Sequence, residues 1–294
     1  MLFSLTAYSG AMAHGEKSVS VSQDAGGNVK WILPGPRMLD PVVFGSPAQP
    51  TALKNDVGLP VKMRKVSADG KSFTMTAGPA PFSDRFKPAT GSFSMQLTDI
   101  TRFDSMESKD RVSGEFRFTD PSGKKNYVVK IKKVIPKGSV HQFFGGVLVD
   151  GILHGTTEFG TALMPTMYNY GAFWAVGELS INGKVVSGNR VVHVMTSENV
   201  RSPESSGYKL LMDKDLPHKG IQTHLILPPT VATPQGPKPG AVPSGFKLPN
   251  GKDQPFIHIM YDTNKITGLP VLWRIDVLNI PAWLSVVRPE ARPG

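Results

Sequence analysis

Hydrophobic and polar residues alternate with a period of two along much of this chain. In Ser92–Ile100 the apolar Phe93, Met95 and Leu97 interleave with Ser92, Ser94 and Gln96, the pattern of a half-buried strand. Alternation over Lys17–Gln23 and a second run at Asn28–Leu33 predict strands near the N-terminus. Two hairpins are expected. One is PVKMRKVS and KSFTMTA around Asp69-Gly70; the other is RVSGEFRFTD and KKNYVVKIKKVI around Pro121-Ser122-Gly123. Ile221–Leu227, Phe256–Asp262 and Val271–Leu278 are further strands, and only Tyr208–Leu216 has room for a helical turn.

The densest apolar stretch is Val140–Ser197, which holds the tight-turn dipeptides Asp150-Gly151 and Asn182-Gly183. A two-residue loop at Asn182-Gly183 sets Ile181 opposite Lys184 and fixes every pairing behind it. One face then carries Phe173, Ala175, Gly177, Leu179 and Ile181 and reads as core. The other carries Trp174, Val176, Glu178 and Ser180 opposite Val191, Asn189, Ser187 and Val185, with His193 beyond. In this register Glu178 and His193 stand about 20 Å apart at ~3.3 Å per residue, too far for an acid–base pair.

From Pro228 to Gly251 seven of 24 residues are proline, a density that predicts a loop without strand or helix. About thirteen or fourteen strands with very little helix predict an all-β antiparallel barrel or sandwich, lipocalin-like or built as a double β-domain. The expected division is a signal peptide at 1–13, an N-terminal β region at 14–138, a C-terminal β region at 139–280 containing the Pro-rich loop, and a tail at 281–294.

Composition adjusts this picture in three places. The 294 residues contain no cysteine, which removes disulfides, thiolate catalysis and cysteine metal ligands. A net charge of +10 permits an anionic partner, and its one clear cluster is Lys124–Lys137. That cluster reads as a solvated edge strand whose lysines block edge-to-edge pairing, or as a contact for an anionic surface. Without an Arg-rich helix, zinc knuckle or aromatic RNA-binding motif, nucleic acid is not favoured. No run reaches the 18 apolar residues of a membrane helix. The apolar Leu2–Gly10 followed by Ala11-Met12-Ala13 fits an A-x-A cleavage site, so a soluble periplasmic or secreted protein is expected.

Candidate chemistry rests mainly on histidine. Of seven histidines, His193, His224 and His258 each sit inside a short apolar strand core. If those strands adjoin, three imidazoles meet a Zn, Cu or Fe ion, with His154 or Glu158 as a fourth ligand. The nucleophile-elbow, phosphate-loop, dinucleotide and EF-hand patterns are absent. Met164, Met167, Tyr168, Tyr170, Phe173 and Trp174 form a soft aromatic cluster around Pro165 that suits an apolar pocket. The six residues AHGEKS, Ala13–Ser18, resemble the mature start of the B subunit of particulate methane and ammonia monooxygenases. That resemblance implies copper chelation by the imidazole and freed α-amine of His14.

The leading expectation is an exported β-rich protein that binds an apolar or amphipathic small molecule in a barrel or cleft. Trp174, Glu178, Asn189, His193, Tyr168 and Tyr170 would line the site, with the Pro-rich loop at its mouth. The alternatives are a His-based metal-dependent enzyme or copper- or zinc-binding protein using His193, His224 and His258, and a structural or assembly protein with a basic contact strand.

Overall fold

A computed structural model describes residues 16–53, 59–76, 81–100, 108–136, 146–157 and 159–268. The signal segment, His14, His141, Glu158, the strand expected at Val271–Leu278 and the tail lie outside them.

Eight strands close into an antiparallel barrel: β1 (Lys17–Ile32), β2 (Phe86–Asp99), β3 (Arg111–Thr119), β4 (Asn126–Val134), β5 (Met167–Ile181), β6 (Lys184–Ser197), β7 (Gln222–Leu227) and β8 (Ile257–Tyr261). Each pairs with the next in sequence, and β8 pairs with β1 to close the ring, an up-and-down meander of lipocalin-like kind. The barrel therefore draws strands from both sides of residue 138. Among the described residues, helix is limited to Pro41–Phe44 and four short 3₁₀ turns, and no helix is long and apolar enough to cross a membrane.

The period-two pattern explains the lumen. Every strand turns alternate apolar residues inward, including Val19 and Val21, Phe93 and Leu97, Phe116 and Phe118, Val192 and Val194, and Ile257 and Ile259. Trp31 lies at the centre with its ring centroid 5.9 Å from Phe118, 5.4 Å from Tyr127 and 5.2 Å from Phe246. The last part of the Pro-rich segment and the residues after it close that end: Tyr127 donates its hydroxyl to the Ser244 carbonyl, and Trp31 Nε1–H donates to Gln254 Oε1.

Several expectations are corrected. The two N-terminal runs form one strand, bent by an irregularity between Gln23 and Gly27. The lysine-rich strand is not an edge, because β4 pairs with both β3 and β5. Its outward lysines are held locally, Lys132 by Glu178 at 2.8 Å and Lys130 by Glu115 at 3.7 Å. Asp150-Gly151 is not a hairpin turn: Val147–Leu148 and Gly151–Leu153 both pair with β5, with Asp150 at φ 67° between them. The Pro-rich segment does contain strands. Thr230–Thr233 and Gly236–Pro239 form a hairpin at the sheet's outer margin, where proline needs no partner for a missing N–H.

Arg190 ties this hairpin to the barrel. Its guanidinium is 2% exposed and donates to the carbonyls of Pro228 (3.1 Å), Gly240 (2.6 Å) and Ala241 (3.3 Å). Arg190→Ala removes the donor to the Gly240 and Ala241 carbonyls, while Pro228 still accepts from the Thr230 N–H, and an expected cost of about 2–4 kcal/mol should appear in the urea midpoint. The amides of Thr230–Thr233 should then exchange hydrogen faster than in the wild type, and unchanged protection there would show that the hairpin is held by other contacts.

Candidate functional site

β6, β7 and β8 differ from the other strands in being buried on both faces: all of Gln222–Leu227 and Ile257–Tyr261 and the run Arg190–Ser197 are buried. Their inward residues belong to the lumen. Their outward residues lie under a layer of irregular chain drawn from 81–85, 153–157, 159–167 and 198–216.

Register places the outward histidines together. His193 opposes Ile226, which opposes His258; one step along, Met195 opposes His224, which opposes Met260. The face is a checkerboard of His–Ile–His above Met–His–Met. The His193 and His224 ring centroids are 5.2 Å apart and those of His224 and His258 are 5.5 Å apart. Trp174 stacks on His193 at 4.5 Å with 22° between the planes. The turn at Asn182-Gly183 holds Ile181 opposite Lys184 as expected, but two irregularities follow in β6 before Arg190. They bring His193, rather than Val191, opposite Trp174 and produce the stack.

The ring nitrogens are sorted by the backbone. Nδ1 of His193 lies 3.0 Å from the Phe173 carbonyl, and Nδ1 of His258 hydrogen-bonds the Pro81 carbonyl. A carbonyl only accepts, so Nδ1–H donates in both, and Nε2 of the neutral His258 ring keeps its lone pair. His154 follows the same rule: its Nδ1 lies 3.0 Å from the Thr161 carbonyl. Its backbone is left-handed at φ 67°, and a Cβ on Gly160 would stand 2.5 Å from its ring, so this loop closes directly on the imidazole.

Burial and neighbouring charge keep the inner pair uncharged. Burial pushes His258 down to about 3, with the Arg201 guanidinium adding to the effect. Burial also holds His224 well below its ordinary value, aided by His193, His258, His154 and Arg201. Arg201 is 4% exposed and is fixed by donating to the Ser83 (3.0 Å) and Tyr208 (3.1 Å) carbonyls. Nε2 of His224 and Nε2 of His258 are buried and have no hydrogen-bond partner.

Of the residues singled out from sequence, Trp174, His193, His224 and His258 come together, and His154 approaches them from the cover. Glu178 is instead ion-paired with Lys132, and Asn189 donates 2.8 Å to the Ala232 carbonyl at the Pro-rich hairpin. Tyr168 and Tyr170 lie further along β5, edge to face at 4.9 Å, with the Tyr168 hydroxyl donating to Asp150 at 2.7 Å. Sequence reasoning missed Met195, Met260 and Arg201. A signal for the first two was present: β6 reads His193-Val194-Met195 and β8 reads His258-Ile259-Met260, the same H-x-M in strands that flank β7. Among the described residues, no three His, Asp or Glu side chains form a group that could hold a metal ion, so any such site here uses fewer imidazoles or another donor type.

Family models, curated proteins and solved structures were all compared with this chain, and none matches it.

Proposed function

We propose that this protein binds a transition-metal ion on the outer wall of its barrel, through Nε2 of His224 and Nε2 of His258. One observation carries the reading: two neutral, fully enclosed imidazoles on adjacent strands each leave Nε2 without a partner. Leaving a buried polar atom unmatched costs about 1–3 kcal/mol, and a metal ion is the ligand that takes a lone pair without needing a proton. Spacing agrees. With a metal–nitrogen bond of ~2.0 Å, two ligating rings stand roughly 5 Å apart centroid to centroid, as these do. Donation of Nδ1–H to a carbonyl, seen for His258, is the arrangement that orients ligating histidines in metal proteins.

A small molecule in the barrel is the reading this geometry supports less. The lumen is filled by side chains from all eight strands, and Trp174 and His193 face away from it. A ligand there would have to displace the cluster around Trp31.

Untagged protein should bind about one equivalent of Cu or Zn by elemental analysis. At a thousandfold excess over the dissociation constant, the bound ion should stabilise the fold by about 4 kcal/mol. His224→Gln/His258→Gln should abolish both effects while keeping the barrel's circular dichroism. Wild-type protein without metal or stabilisation, or a double variant with full stoichiometry, would overturn the reading.

A further inference from the structure

We infer that the ion is Cu(I), and that a line of methionine thioethers conducts it from a surface cleft to His224. This rests on the metal-site reading above and extends it to the ion's identity and route.

The identity follows from the donors around His224. Its cross-strand neighbours on either side are Met195 and Met260, 1% and 2% exposed. Directly opposed residues have Cβ atoms only ~5 Å apart, within reach of a thioether. Zinc requires four strong ligands, usually nitrogen, thiolate or carboxylate. Here the chain has no thiolate, and among the described residues there is no three-member His, Asp or Glu group. Two imidazoles flanked by thioethers are a soft, neutral, low-coordinate set, which selects Cu(I) over Zn(II). The nearby Arg201 charge points the same way, since a buried cation opposes a divalent ion more than a monovalent one.

The route follows from where the other methionines lie. A small surface cleft over the cover layer is lined by Met38, Met164 and Met212, together with Arg37, Asp40 and Leu211. Met38 is 52% exposed, whereas Met164 is 2% exposed and belongs to the buried cluster that also contains Met195. The thioethers therefore run from solvent (Met38, Met212) through the cover (Met164) to the barrel wall (Met195), where His224 stands. Transfer along them exchanges one neutral donor for another on Cu(I), with no electron or proton moved.

The test is stopped-flow transfer of Cu(I) from its bicinchoninate complex to the full chain under anaerobic conditions. Methionine→leucine and methionine→isoleucine changes conserve volume and should cost little stability. Met38→Ile/Met212→Ile should load at least tenfold more slowly and reach the wild-type affinity. Met195→Leu/Met260→Leu should weaken Cu(I) binding tenfold or more and leave Zn(II) binding unchanged. Failure of the wild type to take up copper would remove the metal site itself. Copper uptake at the wild-type rate in the cleft variant would overturn the route and leave the site standing. Unchanged Cu(I) affinity in Met195→Leu/Met260→Leu would overturn the thioether share of the donor set.

Discussion

Metal-free protein should lose roughly 3 kcal/mol of stability as pH falls from 6.5 to 5. His224 and His258 are neutral in the fold, His258 down to about pH 3, whereas an unfolded chain protonates histidine near pH 6.5. Below that value the unfolded state binds protons that the folded state refuses, so stability falls with falling pH. Each such group contributes about half of ~1.4 kcal/mol per pH unit at pH 6.5, rising toward that limit below it, and two groups act over this interval. The loss continues for His258 until its folded value near 3 is reached. Between pH 6.5 and 5 most carboxylates stay ionised in both states, which keeps the window specific to histidine. Urea midpoints at pH 7.5, 6 and 5 check this, with His224→Gln/His258→Gln as the control that flattens the slope. A wild-type midpoint unchanged from pH 7.5 to 5 would show that these imidazoles are as accessible to protons as free histidine.

Trp31→Ala should cost about 3–5 kcal/mol and turn the filled lumen into a cavity. The indole is fully buried, meets three aromatic rings and donates to Gln254, so its removal takes away both packing and a hydrogen bond. For a barrel of this size the thermal midpoint should drop by roughly 10 °C. Apolar engineered cavities stay dry and accept small aromatic molecules. Added indole should therefore bind the variant saturably and recover part of the lost stability, while leaving the wild type unaffected. Saturable binding of an apolar probe inside the wild-type barrel would instead favour the small-molecule reading.

Much of the barrel was legible because its signals are local. Phe93, Met95 and Leu97 against Ser92, Ser94 and Gln96 fix a strand and its inward face, and Asn182-Gly183 fixes a hairpin. Non-local facts were not legible. Two register irregularities of β6 before Arg190 moved His193 opposite Trp174; Gly188 marks a place where a bulge fits, but nothing local says that two shifts accumulate. The edge placement that lets proline join a sheet at 236–239 depends on which strands lie beside it, as does the interior position of the lysine-rich β4. The site was half readable. Three histidines in apolar strand cores were visible, and so was the repeated H-x-M. The cover that makes their face an interior was not, because it is irregular chain held by long-range contacts such as Arg201 with Ser83 and Leu210 with Asp84.

The most direct test of the metal site is a long-range proton–nitrogen-15 spectrum of the histidine rings, before and after one equivalent of Cu(I), which is diamagnetic. Without metal, His258 should appear as the Nδ1–H tautomer with a bare Nε2. With metal, Nε2 of His224 and Nε2 of His258 should shift together and saturate at one equivalent, while the exposed His218 stays unchanged. Unmoved signals for His224 and His258, or a shift confined to His218, would contradict the assignment.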